Sequence, residues 1–365
     1  MAESERSRFD LRILVLFLIL GMVPLIVGAL LLMSSARTIY QESIEEHLVE
    51  TAEFTQSLIS THLQQRIIDV AGITAIPTIR ERVREANQTL LPVDQLRDHV
   101  DEVETQWGTL IAPSQSVLLA EILENEASAY LRDYQSFDSS MREILVTDQQ
   151  ARLIAATNKT SDYFQGDEQW WYDCYRDGKG GHYISDMRYD ESAQVFAIEI
   201  AQPVVDPATK EAIGVVKAIV DSQDIFALVN STRVGEKGLA FLVRGDGMVL
   251  NRTAGAHGEL ESYPNFEDVM AALQENRNIV EARREEGRFL VGASNRRFSL
   301  TFPNLDWLVV VEQPYSEAYA PFQDVTSRYI YIILFSLVVV VALSLIFTWL
   351  LRKPVIEVDP HLERI

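Results

Sequence analysis

Two uncharged apolar runs, residues 13–33 and 329–351, bracket almost everything else in this chain. About 20 apolar residues cross a bilayer as a helix, because in lipid every backbone N–H and C=O must be satisfied within its own segment. Each run therefore reads as a membrane span. Tyr329, Tyr331 and Trp349 stand near the ends of the second, where interfacial aromatics sit. The first is longer than the roughly 7 to 15 apolar residues of a signal peptide core, and helical pattern rather than a small-residue cleavage site follows it. A retained span is expected, so residues 34–328 must fold as a self-contained domain whose two ends meet the same membrane.

The charge sits in that domain. The chain carries 53 Asp plus Glu against 32 Lys plus Arg, a formal charge of −21. In residues 1–12, Arg6, Arg8 and Arg12 balance Glu3, Glu5 and Asp10; in residues 352–365, Arg352, Lys353 and Arg364 balance Glu357, Asp359 and Glu363. An acidic domain excludes nucleic acid as the main partner, since phosphate contacts need clustered cations. Arg8, Arg12, Arg352 and Lys353 crowd the outer flanks of the spans against Arg37 and Arg328 inside. That bias puts both termini in the cytoplasm and the acidic domain outside the inner (plasma) membrane. With Cys174 as the single cysteine, no intramolecular disulfide and no Cys-rich metal site can form.

From Ser34 to Ile76 apolar residues recur at helical steps (Ile44, Leu48, Leu58, Ile67, Val70), with Glu42, Glu45, Glu46, Glu50 and Glu53 on other faces. Pro77 ends or bends this helix. Such a helix either packs on its own domain or pairs with a second copy, and a homodimer is the expected state. Further helical patterns cover 92–108 and 114–137. At Met141 the period changes to that of strands: a hairpin at 144–148 and 153–156, a short aromatic helix at 168–176, strands at 182–187, 194–203 and 212–220, and a helix at 221–232. The order then recurs in shorter form, with a hairpin at 239–243 and 248–251, a helix at 266–276, and strands at 287–293, 298–302 and 307–312. Two antiparallel sheets with helices packed on them give an α+β fold.

A helix leaving one span, two such modules in series and a return to a second span resemble the double Cache (dCache) sensors of bacterial and archaeal receptors, whose modules are PAS-like. Residues 144–158 (ILVTDQQARLIAATN) resemble that family's first hairpin, with Asp148 at the acidic turn; 214–229 resemble its last distal strand and helix; 241–252 (FLVRGDGMVLNR) resemble the proximal hairpin. The resemblance implies a cytoplasmic N-terminus at 1–12, spans at 13–33 and 329–351, helical stalk and packing helices at 34–140, a distal module at 141–232, a proximal module at 233–328 and a tail at 352–365. Arg352, Lys353, Pro354 and Val355 resemble the entry to a HAMP linker. No output domain fits in that tail, so either the native chain continues or a cytoplasmic partner reports the signal.

The same resemblance implies a ligand pocket in the distal module. In amino-acid-sensing members a Tyr, an Arg, a Trp and a second aromatic line it, and an Asp ends the last strand. Tyr163, Trp170, Trp171 and Asp221 fall on four of those positions, while Glu168, beside Asp167, replaces the Arg. A Glu there repels a ligand carboxylate. With Tyr183 added, the set Tyr163, Asp167, Glu168, Trp170, Trp171, Tyr183 and Asp221 combines aromatic faces with acids, which suits an amine or other cation. The plainer reading stands beside it: adjacent Trp170 and Trp171 diverge by about 100° on a helix, so one belongs in the core, and acids in a first turn simply suit the helix dipole.

The remaining signals are weaker. Arg244-Gly245-Asp246 lies at a Gly-Asp-Gly turn between strands. Asn87, Asn158, Asn230 and Asn251 open Asn-x-Ser/Thr triplets, which matter only in a glycosylating pathway, and neither an EF-hand nor a catalytic motif is present. The expectation is a two-pass receptor input module for a small molecule, without catalysis, cofactor or metal. A solute-binding or scaffold protein of the envelope is the alternative.

Overall fold

The structure, a computed structural model, describes residues 11–110, 112–190, 194–253, 261–295 and 298–350. The expectations for residues 1–10 and for the HAMP-like tail lie outside these residues. The chain divides into two units, one of Leu48–Gln313 and one of Met1–His47 with Pro314–Ile365.

The first unit opens with the outer part of α1 (Leu11–Thr74). Here Leu48, Ala52, Ile59, Leu63, Val70 and Ile73 are buried, the stripe that a helix presents to one core. Pro77 is the first residue of α2 (Pro77–Ala86), a position where its missing N–H costs nothing, so the chain bends and continues as helix. α3 (Val93–Trp107) follows. The single helix expected over 114–137 is two, α4 (Val117–Leu123) and α5 (Glu126–Phe137). Asn125 divides them, its side chain accepting the Ser128 amide hydrogen at 2.8 Å as the cap of α5.

The distal module contains β1 (Met141–Asp148), β2 (Leu153–Ala156), α6 (Gln169–Tyr175), β3 (Tyr183–Ile184), β4 (Arg188–Asp190), β5 (Val195–Val205), β6 (Ala212–Asp221) and α7 (Gln223–Ser231). Its sheet runs β2-β1-β6-β5-β3, with β4 also on β5. The proximal module repeats the scheme with β7 (Leu239–Arg244), β8 (Val249–Arg252), α8 (Phe266–Gln274), β9 (Ile279–Arg284), β10 (Gly287–Ala293) and β11 (Trp307–Pro314) in the order β8-β7-β11-β10-β9. In both, the first hairpin lies beside the last strand. Two glycines let helices approach these sheets. A Cβ on Gly214 of β6 would lie 2.9 Å from Val83 Cγ1 of α2, and one on Gly292 of β10 would lie 2.8 Å from Leu48 Cβ of α1.

Among the described residues one expected strand is absent and two, β4 and β9, are new. Residues 298–302 alternate apolar and polar, yet Phe298–Leu300 is a 3-10 turn that buries Phe298 and Phe302 and leaves Leu300 83% exposed. The alternation is a helical i, i+4 pair with an idle residue between. β9 escaped the sequence reading because Glu281, Arg283 and Arg284 interrupt its apolar pattern; it is an edge strand, where charge guards against stray pairing.

In the second unit the inner part of α1 and α10 (Ala320–Leu350) are each long and apolar enough to cross a membrane. α9 (Tyr315–Ala318) precedes α10. Tyr40 Oη donates to the Ala318 carbonyl at 3.2 Å, and its ring stacks on Phe322 at 5.4 Å.

Candidate functional site in the distal module

The distal sheet presents one face to α6. Antiparallel register puts Leu145, Lys217 and Ala201 in one row across β1, β6 and β5, and Glu143, Ile219 and Glu199 in the next row on the same side. Leu145, Ala201 and Val215 pack in one apolar cluster with Trp170, Cys174, Tyr163 and Trp107. Charge therefore enters a surface that is otherwise apolar.

Lys217 is only 8% exposed. Its Nζ donates to Glu199 Oε1 at 2.8 Å and lies 4.7 Å from the centre of the Trp170 ring, a desolvated cation–π arrangement. Burial pushes the Glu143 carboxyl up to about 7; Lys217 opposes the shift, and Asp190 and Glu199 add to it. Asn158 Nδ2 donates to Glu143 Oε2 at 3.1 Å. Around one buried ammonium there are thus two carboxyls, one of them poised to change charge near neutrality.

The aromatic residues converge here. Trp170 is 1% exposed, and its indole N–H is buried with no hydrogen-bond partner. Trp171 also turns to the sheet: its Nε1 donates to Thr147 Oγ1 at 2.9 Å, and its ring stacks on Tyr175 at 4.7 Å. Tyr183 pairs with Ala201 on β5, and burial, then the nearby Glu199 charge, raise its phenol above the usual tyrosine range. Tyr163 packs behind this wall against Trp107, ring centres 5.7 Å apart, and burial pushes its phenol up to about 12. Cys174 Sγ donates to the Gly181 carbonyl at 2.9 Å; burial pushes this thiol up to about 12, so it is an inert core group.

The three acids proposed from sequence do not join the wall. Asp167 and Glu168 are exposed at the start of α6, because the chain turns outward there before the helix folds back onto the sheet. Asp221 is buried but committed: its Oδ2 accepts from Arg142 Nη2 at 2.6 Å, and its Oδ1 accepts from the amide of Gln223, the first residue of α7, at 2.9 Å. The charged residues that do share the sheet face toward α6, Glu143, Glu199 and Lys217, were missed. Their signal was available, since Lys217 interrupts the otherwise apolar Val215–Val220 run.

The equivalent place in the proximal module is closed on itself. Glu312, 3% exposed, accepts from Arg284 Nη1 at 3.1 Å, Arg284 Nη2 at 2.8 Å and Tyr263 Oη at 2.9 Å. The Arg284 guanidinium also lies 5.0 Å from the Phe289 ring centre. Arg284 and Glu312 are paired there, whereas the distal site keeps an unpaired donor in Trp170 Nε1. Among the described residues no cluster of His, Cys, Asp and Glu is placed to hold a metal ion.

A family model described as "Cache domain", of the double type, matches residues 36–322. The chain belongs to this family. The double Cache domain is a sensory, ligand-binding domain and not a catalytic one. The sensory domain of the Campylobacter jejuni chemoreceptor Tlp3 is 12% identical, with a TM-score of 0.52, covering 77% of this chain and 97% of that one. The ligand-binding domain of the Pseudomonas fluorescens chemoreceptor CtaA, solved with L-isoleucine, is 16% identical with a TM-score of 0.48, covering 78% and 98%. No curated protein matches the sequence. Two apolar helices flanking a double Cache domain fit a two-pass membrane receptor.

Proposed function

We propose that this chain is the input module of a receptor in the inner (plasma) membrane, with its Cache modules on the periplasmic or extracellular side. It senses a small amine-bearing molecule between α6 and the distal sheet. The observation that carries this reading is the pairing of a buried, unpartnered Trp170 N–H with a floor of two carboxyls around one ammonium. A ligand ammonium would take its place beside Glu143 and Glu199. A ligand oxygen would accept from Trp170 Nε1, as buried donors are rarely left unmade. Trp171 and Tyr183 complete the wall, Tyr163 backs it, and Asp167 and Glu168 stand outside at the start of α6.

This arrangement widens the ligand class. Because Glu168 is exposed, water and salt screen its repulsion of a carboxylate, and an amino acid fits alongside simple amines. The Tlp3 domain has also been solved with L-norvaline, at 11% identity and a TM-score of 0.50; a likeness that distant concerns the fold, and the preference here rests on this chain's own residues. Output would run along the chain from β11 into α9 and α10, a two-state displacement read by a cytoplasmic partner or a following domain. Exposed Leu58 and Ile68 on α1 support pairing as a homodimer.

Calorimetry on the full chain in lipid nanodiscs tests this with three probes: L-norvaline, 1-aminobutane and butanoate. Binding of the two amine-bearing probes with no binding of butanoate is expected. Butanoate binding as tightly as the amines would sink the amine reading, and binding of all three unchanged by Glu199→Gln would remove the site from this cleft.

A further inference from the structure

A second cleft lies on the flank of α1, against the 298–301 turn of the proximal module and away from the distal site. Its cavity is about 420 Å³, within the range of small-molecule sites and far larger than a single ion needs. Glu50 and Glu53 line it with the hydroxyls of Ser57, Ser60 and Thr301, and Phe298 provides an apolar wall. The two acids are three residues apart, hence neighbours on the helix surface. By themselves they would be an ordinary solvated face.

Gln56 separates this cleft from such a face. It lines the same cavity, is 6% exposed, and its Oε1 is buried with no hydrogen-bond partner. A buried carbonyl oxygen without a donor carries a desolvation cost that a bound donor relieves. Everything polar in the lining can accept a hydrogen bond, two groups carry negative charge, and no lining residue is a cation. A metal ion does not suit the place, because a pair of carboxylates falls short of the clustered ligands that hold one. An organic cation does, its N–H groups reaching Gln56 Oε1 and the Glu carboxylates while its carbon chain lies on Phe298.

We propose that this cleft is a second ligand site, selective for a short aliphatic diamine. Two ammonium groups match two carboxylates, and the cleft joins α1 to the proximal module, so an occupant would brace the helix that leads to the first span.

The test is calorimetry with 1,4-diaminobutane and 1-aminobutane on the full chain in nanodiscs, carried out in a Glu143→Gln/Glu199→Gln background that removes the acids of the distal site. The diamine is expected to bind more tightly than the monoamine, and Glu50→Gln/Glu53→Gln is expected to weaken it about tenfold. Gln56→Leu, which keeps both charges, is expected to weaken it severalfold. A matched change elsewhere on α1, Glu42→Gln/Glu46→Gln, should leave it unaltered. Diamine binding that survives Glu50→Gln/Glu53→Gln, or that falls equally with the matched change, overturns the proposal, as does the absence of any diamine binding at millimolar concentration.

Discussion

Trp307 Nε1 donates to Asp186 Oδ1 at 2.6 Å, a bond from the first residue of the last proximal strand to the segment just after β3 of the distal module. Arg244 of β7 adds an ion pair to the same carboxylate at 3.8 Å, and Asn304 Nδ2 donates to the Ile184 carbonyl at 3.1 Å. β3 also carries Tyr183 of the candidate distal site. The strand that would feel a ligand is therefore the strand tied to the proximal module, and β11, which holds the other end of the tie, is followed along the chain by α9 and α10.

Trp307→Phe keeps an aromatic ring at this buried position but removes the donor and part of the indole volume. Loss of a charge-assisted bond to Asp186 should lower stability by about 1.5–3 kcal/mol, read as a drop in midpoint of thermal unfolding. In hydrogen exchange, protection of β11 on ligand addition should shrink in this variant while protection of β6 persists. Equal protection of β11 in both proteins would show that the tie is structural only.

Glu143 sets a pH dependence. Its folded-state pKa is raised from 4.5 to about 7, so the folded protein binds this proton more tightly than the unfolded chain. The associated stability is fully present below about pH 4.5 and is lost as pH rises through about 7. Glu143→Gln should therefore be more stable than the parent at pH 8, by about 1–3 kcal/mol, and equal to it at pH 4. Amine affinity should move the opposite way in the parent, rising with pH as the carboxylate forms, and become flat across pH 6–8 in Glu143→Gln. Chemical unfolding and calorimetry at those pH values check both signs.

Much of this fold was legible because its signals are strong. Two apolar runs marked the two helices long and apolar enough to cross a membrane, and the change of period at Met141 marked the first sheet. Errors arose where one pattern has two readings: Phe298 and Phe302 alternate like a strand but pack as one helical turn, and charged β9 is a strand set by its place at a sheet edge. The site was half legible. The aromatic residues of α6 could be singled out because Trp170, Trp171 and Tyr172 stand together in one short helix. Glu143, Glu199 and Lys217 were missed because nothing local says that three strands align them in adjoining rows; register does. Conversely, Asp221 looked available only because Arg142, a residue 79 positions away in sequence, was out of view.

Lys217→Met tests the charge balance of the cleft. The change leaves Glu199 without its partner at 2.8 Å and replaces the cation over Trp170 with a thioether. Because Glu199 keeps partial access to water, the expected stability loss is about 1–3 kcal/mol, less than for a fully buried pair. Losing one positive charge beside two carboxyls should raise affinity for 1-aminobutane while lowering that for L-norvaline, whose carboxylate loses an ammonium. A parallel change in both affinities would mean that Lys217 is only a packing residue.

Arg284→Met separates the two modules by their tolerance of charge. Glu312 would then be buried at 3% exposure with Tyr263 as its remaining donor, and breaking a buried pair from one side costs about 3–5 kcal/mol. Adding Glu312→Gln should restore most of that loss, since a neutral amide can accept from Tyr263 without a counter-charge. The double variant is expected to bind distal ligands as the parent does, because the Arg284–Glu312 pair belongs to the proximal module's closed network. Urea unfolding of both variants gives the stability changes, and calorimetry gives the binding. Failure of the double change to rescue stability would show that the Arg284 guanidinium acts through its packing on Phe289 and Tyr263 rather than by neutralising Glu312.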